Sequence, residues 1–152
     1  MTRQTRTRRR THGRPSLRRH VPAFAPVPLR SRVGGWTPLK QSAFLGKLAE
    51  TRCVRTAARL VGMSRETAYR LRGKPGAASF ADAWDRALGR VTGPARKVTP
   101  EELPLRVFGG LLKPLFYRGK YVSTVEKTDK TALLRLLARL DRAQGDCRWG
   151  TG

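Results

Sequence analysis

Residues 54–72 read VRTAARLVGMSRETAYRLR. In the first half, apolar residues recur at helical spacing, and the second half begins with Ser64, a residue type that commonly caps helices. Between the halves stands Gly62, and glycine takes the left-handed conformation at a helix end without a Cβ penalty. The stretch therefore predicts two short helices joined by a tight turn.

These two helices are predicted to cross closely. Ala57, Leu60 and Val61 have the spacing of one helical face, and the small side chain of the neighbouring Ala58 leaves room for a second helix. Two short helices with a small-residue crossing and a glycine turn form a helix-turn-helix. The residues expected to form its core are Ala58, Gly62, Met63, Ala68 and Leu71.

The five core positions are four, one, five and three residues apart, and this pattern resembles the helix-turn-helix superfamily of DNA-binding proteins. That superfamily places the second helix in the major groove, with its N-terminal half against base edges. The resemblance implies base contacts from the residues left outside, which are Arg65, Glu66, Tyr69 and Arg70. It implies phosphate contacts from Arg55, Arg59, Ser64, Arg72 and Lys74.

The charge of the chain points to the same kind of partner. The 152 residues carry a formal net charge of +23, and residues 1–35 hold ten Arg but no acidic residue. A basic stretch this rich in proline cannot bury enough surface to offset its ordering entropy, so 1–35 is predicted to be a disordered arm. Its densest cluster, Arg8, Arg9 and Arg10, is expected to contact phosphates.

The charge also allows other interpretations. An Arg-rich start without acids is typical of a transit peptide as well, but three prolines interrupt the apolar stretch 21–29, which argues against an export signal. Double-stranded DNA is the expected partner, and an RNA or ribosome binder is an alternative suggested by charge alone. A membrane surface is less favoured, and no run of 18 apolar residues is present.

Residues 36–90 are predicted to form one DNA-binding domain of about four helices. Thr37 and Pro38 are a cap and a first-turn proline, so a helix is expected over 38–50. Ser79 is expected to cap a fourth helix whose apolar face includes Trp84. The run from Tyr69 to Trp84 is similar to small alphaproteobacterial helix-turn-helix proteins, and the resemblance covers residues 36–88.

The remaining chain is predicted as a linker over 91–107 and a small structural unit over 108–145. Apolar residues on both sides of Arg118-Gly119-Lys120 indicate a β-hairpin with glycine in its turn. Thr128 or Asp129 is expected to cap a final helix. Its leucine-rich side needs a partner surface, which is either the core of its own domain or a homo-oligomer contact through Leu133, Leu136, Leu137 and Leu140.

A hairpin followed by a capped leucine helix, over 113–140, is similar to the end of phage-type terminase small subunits. Those proteins also begin with a helix-turn-helix and form rings on viral DNA, so the resemblance implies a DNA-packaging role as an alternative to a transcriptional regulator. The sequence departs from that pattern at Lys127-Thr128, where a tyrosine is usual before the capping aspartate.

No catalytic site, metal site, cofactor or small-molecule substrate is predicted. Asp82 and Asp85, and the adjacent Glu101 and Glu102, have no histidine or third carboxylate near them in sequence, so no nuclease-type metal cluster is expected. The two cysteines, 53 and 147, are expected to be reduced thiols in a bacterial cytoplasm, on the nucleoid or in a phage-related role. The sequence thus predicts a mostly α-helical, non-enzymatic protein.

Overall fold

The computed structural model describes residues 21–147, and Arg8, Arg9 and Arg10 of the predicted arm lie outside this part. The described chain is mostly helical, with one two-stranded antiparallel sheet, as the sequence predicts. Among these residues, no helix combines the length and the hydropathy that a membrane span requires. The elements in chain order are α1 (Pro38–Thr51), α2 (Val54–Leu60), α3 (Arg65–Arg72), α4 (Ala78–Ala87), a 3-10 turn (Pro100–Glu102), α5 (Leu103–Gly109), β1 (Leu111–Tyr117), β2 (Lys120–Lys127) and α6 (Lys130–Cys147).

Helix α1 is the centre of the fold. It begins as predicted, with Pro38 in its first turn and the Thr37 hydroxyl accepting the Lys40 amide hydrogen at 3.2 Å. The rings of Phe44 and Trp84 lie 4.8 Å apart between α1 and α4, and both side chains are fully buried. This aromatic contact fixes α4 against α1 and gives the helix-turn-helix a rigid support.

The predicted boundary of the arm at residue 35 is wrong, because residues 21–29 are part of the core. Val21, Phe24 and Val27 are buried, and the Phe24 backbone exchanges two hydrogen bonds with Leu112 of β1, at 3.0 and 2.9 Å. Prolines keep this segment extended, so its backbone groups need partners from elsewhere in the chain.

Two side chains supply those partners. The buried Gln41 amide accepts from the Val27 N–H at 2.8 Å and donates to the Val27 carbonyl at 3.1 Å. The Ser79 hydroxyl accepts from the Ala25 N–H at 2.9 Å. The prediction that Ser79 caps α4 is therefore wrong: residue 77 occupies that position and makes no side-chain cap.

The predicted linker over 91–107 is too long. A 3-10 turn begins at Pro100, and the Thr99 N–H donates to the Glu102 carboxylate at 3.3 Å. Helix α5 follows directly, and Leu103 is buried. A helical segment therefore begins inside the predicted linker.

The hairpin is confirmed. Its two-residue turn places Arg118 and Gly119 at positive φ, 48° and 78°, as in the turns that suit the twist of paired strands. Tyr121 of β2 lies on Gly46 of α1, where any side-chain carbon would collide with its ring. The hairpin therefore packs on the same helix as the helix-turn-helix, and it is not the separate unit that the sequence predicted.

Helix α6 is held to the rest mainly at its start. Asp129 caps it by accepting from the Ala132 N–H at 2.9 Å, as one of the two predicted caps, and pairs with Arg106 of α5 at 3.6 Å. Ala132 is buried and Leu136 is half-buried, whereas Leu133, Leu134, Leu137 and Leu140 are exposed.

Candidate nucleic-acid interface

The turn between α2 and α3 has the geometry that its sequence predicts. Gly62 has a φ of 72°, and the Met63 N–H returns to the Ala58 carbonyl at 2.9 Å. Ser64 caps α3 by accepting from the Thr67 N–H at 3.2 Å. These backbone and cap hydrogen bonds join the two helices at the corner and fix their relative angle.

Three of the five predicted core residues of the motif, Ala58, Ala68 and Leu71, are buried, whereas Met63 is half-buried and Gly62 is exposed in the turn. Ala57, Ala58 and Ala68 are completely buried, and Leu71 is 1% exposed. Leu60 is 57% exposed although its spacing suggested the core. Helix α2 is only seven residues long, and Leu60 is its last residue, where the chain already turns away.

The outward side of α3 carries the predicted base-contacting residues. Arg65, Glu66, Tyr69 and Arg70 are all exposed, and neither arginine takes part in an ion pair within residues 21–147. Burial of Arg65 or Arg70 in internal pairs would have excluded a role in recognition. Both guanidinium groups instead face solvent with their hydrogen-bond donors available.

Tyr69 is held more firmly than its exposure suggests. The residue is 44% exposed, but its ring centroid lies 5.4 Å from that of the buried Trp84. The Arg65 guanidinium lies 5.7 Å from the Tyr69 ring centroid, within the range of a cation–π contact. A stack of three groups, from Trp84 through Tyr69 to Arg65, therefore runs from the core to the surface.

Arg72 differs from the other predicted phosphate contacts. It donates two hydrogen bonds to Asp85 of α4, at 2.8 and 3.0 Å, and lies 5.5 Å from the Trp84 ring centroid. Both hydrogen bonds come from one nitrogen, Nη2, which holds this end of the guanidinium group against α4. The structure therefore gives Arg72 a place in the contact between α3 and α4.

The remaining predicted phosphate contacts of the described chain lie on α2 and at the two ends of α3. Arg55, Arg59 and Lys74 are exposed and form no ion pair among the described residues. Ser64 is exposed as well, although its hydroxyl already accepts the Thr67 amide hydrogen. These three cations thus flank the two that project from α3.

Glu66 is the acid on this surface. Its own backbone N–H, the Ser64 hydroxyl and the adjacent Arg65 and Arg70 lower the pKa of its carboxyl. A carboxylate in the first turn also stabilises the helix start through the backbone dipole. Glu66 is therefore ionised at neutral pH, where it can act only as a hydrogen-bond acceptor.

Five other acids of the described chain take part in ion pairs. Ion pairs engage Glu50 with Lys47, Asp82 with Arg86, and Glu102 with Arg96. Within residues 21–147, no group of three His, Cys, Asp or Glu side chains has the arrangement of a metal site. The positive potential over α2 and α3 is thus opposed on these two helices by Glu66 alone.

The structure adds a second exposed basic group that the sequence reasoning did not select. Arg118 lies in the hairpin turn and Lys120 directly follows it, and the Arg118 guanidinium is 5.3 Å from the Tyr117 ring centroid. The Lys120 neighbour, Tyr121, donates its N–H to Glu50 at the end of α1. The Arg-Gly-Lys run is visible in the sequence. Only the packing of the hairpin on the end of α1 places this run near the segment that connects α1 to α2.

No family model, curated protein or solved structure matches this chain.

Proposed function

We propose that this protein binds double-stranded DNA, with α3 in the major groove and α2 across the phosphate backbone. The observation that carries the proposal is the division of α3 into two sides. Ala68 and Leu71 are buried, and Arg65, Tyr69 and Arg70 project outward without internal charge partners in the described chain. A folded domain that maintains such a surface is stabilised by a polyanion that neutralises it.

The dimensions of α3 agree with this proposal. Eight residues at 1.5 Å each give a helix about 12 Å long, close to the width of the major groove. Arginine side chains on such a helix reach the two acceptors of a guanine in a bidentate contact. Arg70 and Arg65 are the residues to which we assign base contacts, with Arg55, Arg59 and Lys74 on phosphates.

The contact between Tyr69 and Trp84 limits the movement of side chains on the outward side of α3. Because Tyr69 rests on a buried ring, its hydroxyl and the stacked Arg65 lose less conformational freedom on binding than free side chains would. Preorganised groups favour one base sequence over others. We therefore propose a sequence-specific DNA-binding protein of the regulator type rather than a general DNA-coating protein.

The test is selection of bound duplexes from a random pool with the full chain, followed by titration of the selected duplex. A matched random duplex and a structured RNA are titrated at the same salt concentration. Enrichment of one sequence motif, bound more tightly than the other two, is the expected result. Equal binding to all three, or tighter binding to RNA, would refute the proposal.

A further inference from the structure

We propose that two copies of this chain associate through α6, with the two helices antiparallel around a two-fold axis. The starting observation is the exposed apolar side of α6. Four leucines lie largely in solvent there: Leu133, Leu134, Leu137 and Leu140, with exposures of 39, 67, 48 and 51%. Leu136, which the sequence grouped with this face, is less exposed and lies on the side of Ala132.

The charges beside the leucines identify the partner. Lys130 and Asp141 are eleven residues apart, which corresponds to about three full turns of an α-helix. Both residues therefore lie on the same side of α6, and this is the side that carries the exposed leucines. Each is exposed, and neither takes part in an ion pair among the described residues. The exposed side therefore has a free cation at one end and a free anion at the other.

An antiparallel second copy satisfies both charges at once. When the axis passes midway between positions 135 and 136, Lys130 of each copy meets Asp141 of the other. The same operation brings Leu134 of each copy to the level of Leu137 of the other. An isologous contact requires this self-complementarity, in which each pair occurs twice.

A parallel arrangement of the two helices does not pair opposite charges. It would place Lys130 beside Lys130 and Asp141 beside Asp141, and like charges in contact are unfavourable. The antiparallel arrangement also pairs opposite ends of the two helix dipoles, which adds a small favourable contribution. Charge complementarity along one apolar stripe thus selects a two-fold dimer of this chain as the occupant.

Association through α6 is a property of the free protein and is independent of the proposed function. The experiment is sedimentation equilibrium of the full chain without nucleic acid, over a range of micromolar concentrations. Wild-type protein is expected to populate a species of twice the monomer mass. Lys130→Asp and Asp141→Lys, each tested alone, place like charges in both reciprocal pairs and are expected to weaken association roughly tenfold or more.

The decisive sample is an equal mixture of the two variants. A mixed dimer has opposite charges at both pairs, so association is expected to return to the wild-type level in the mixture. Arg135→Asp is the matched control, because it makes the same charge change on the same helix but faces away from the stripe, and it is expected to dimerise normally. Circular dichroism verifies that each variant is folded.

Three results would overturn the proposal. They are a wild-type chain that stays monomeric at every concentration, a larger ring in place of a dimer, and a mixture that associates no better than its two components. The last result would locate association elsewhere on the molecule or attribute the single-variant losses to a local change in α6.

Discussion

Helices α3 and α6 both expose a side that a folded chain leaves unpartnered, but the exposed chemistry is opposite. Helix α3 buries Ala68 and Leu71 and presents arginines and a tyrosine. Helix α6 buries Ala132 near its start and presents leucines. Exposed charged side chains are well solvated and attract a polyanion. Exposed leucines are less favourable in water, and their burial against an apolar partner lowers the free energy. The comparison separates the surface proposed for nucleic acid from the surface proposed for a second copy of the chain.

The two helices also differ in what they contribute to stability. The largest expected effect is from Leu71→Ala, which removes a side chain that is 1% exposed and leaves a cavity between α3 and the core. We expect the free energy of unfolding to fall by about 2–5 kcal/mol. Urea denaturation monitored by circular dichroism, at a dilution at which the chain is monomeric, measures this loss.

Leu137→Ala is the control for that experiment, because Leu137 is 48% exposed on α6. It is expected to change the free energy of unfolding of the monomer by less than about 0.5 kcal/mol. Equal losses for the two variants would contradict the assignment of α6 as an outward, non-core helix.

The second prediction divides α3 itself. Arg70→Ala is expected to weaken binding to the selected duplex by about 1–3 kcal/mol and to random DNA only slightly, because the proposed role of Arg70 is to form hydrogen bonds with a base. Arg72 is two residues further along but pairs with Asp85. Fluorescence anisotropy titrations of both variants on both duplexes provide the measurement.

Arg72→Ala should lower thermal stability and leave the preference for the selected duplex unchanged. If Arg70→Ala reduced binding equally on both duplexes, Arg70 would bind a phosphate rather than a base. If Arg72→Ala abolished the preference, the division of α3 into a reading side and a packing side would be incorrect.

The third prediction concerns the basic arm and follows from its corrected boundary. Deletion of residues 1–20 removes eight arginines and spares the packed segment 21–29. Affinity for all duplexes should fall, and the slope of log affinity against log salt should decrease by about 0.9 for each phosphate that the arm neutralises in the full chain. Titration at several salt concentrations measures the slope, and an unchanged slope would show that the arm does not touch DNA.

The smallest expected effect on stability comes from the contact between α1 and the hairpin, where Tyr121 donates its N–H to Glu50. Partial burial raises the pKa of Glu50, but hydrogen bonds from Lys47 and the Tyr121 N–H outweigh it and lower that pKa below the ordinary value of 4.5. The folded state therefore favours the carboxylate. Its contribution to stability is complete above 4.5 and is lost as the pH falls through the lower pKa of the folded state.

Glu50→Gln is expected to destabilise the protein by about 1 kcal/mol or less at pH 7, with a difference from wild type that shrinks in acid below pH 4.5. Amide hydrogen exchange should locate the loss in β2 and leave α3 protected. A pH-independent difference, or equal deprotection of α3, would show that Glu50 does not stabilise the contact between α1 and the hairpin.

Much of the helical part was predictable from local sequence. The spacing of Ala58, Gly62 and Ala68 predicts the two-helix corner, because glycine and small residues at those positions satisfy local steric requirements. The Thr37 cap and the Arg118-Gly119 turn are local in the same sense, and the structure confirms both. Local signals of this kind act within about four residues of each other.

Long-range partners were not predictable. By sequence alone, the segment 21–29 belongs to a disordered arm, because it has three prolines and no polar side chain that could bond its backbone. Its hydrogen bonds come from Gln41, Ser79 and Leu112, which are up to 88 residues away in sequence. The pairing of Arg72 was hidden for a similar reason, since its partner Asp85 lies on another helix.

The sequence by itself determined where α1 and α3 begin, which α3 residues face outward, and how far positive charge exceeds negative charge. Those properties depend on helical periodicity, caps and composition, all of which can be read from neighbouring residues or a simple sum. Only the tertiary structure decided which arginine is free and which is paired, and which leucines of α6 remain in solvent. Those outcomes depend on what other elements bring within a few ångströms, and chain connectivity alone does not specify these distances.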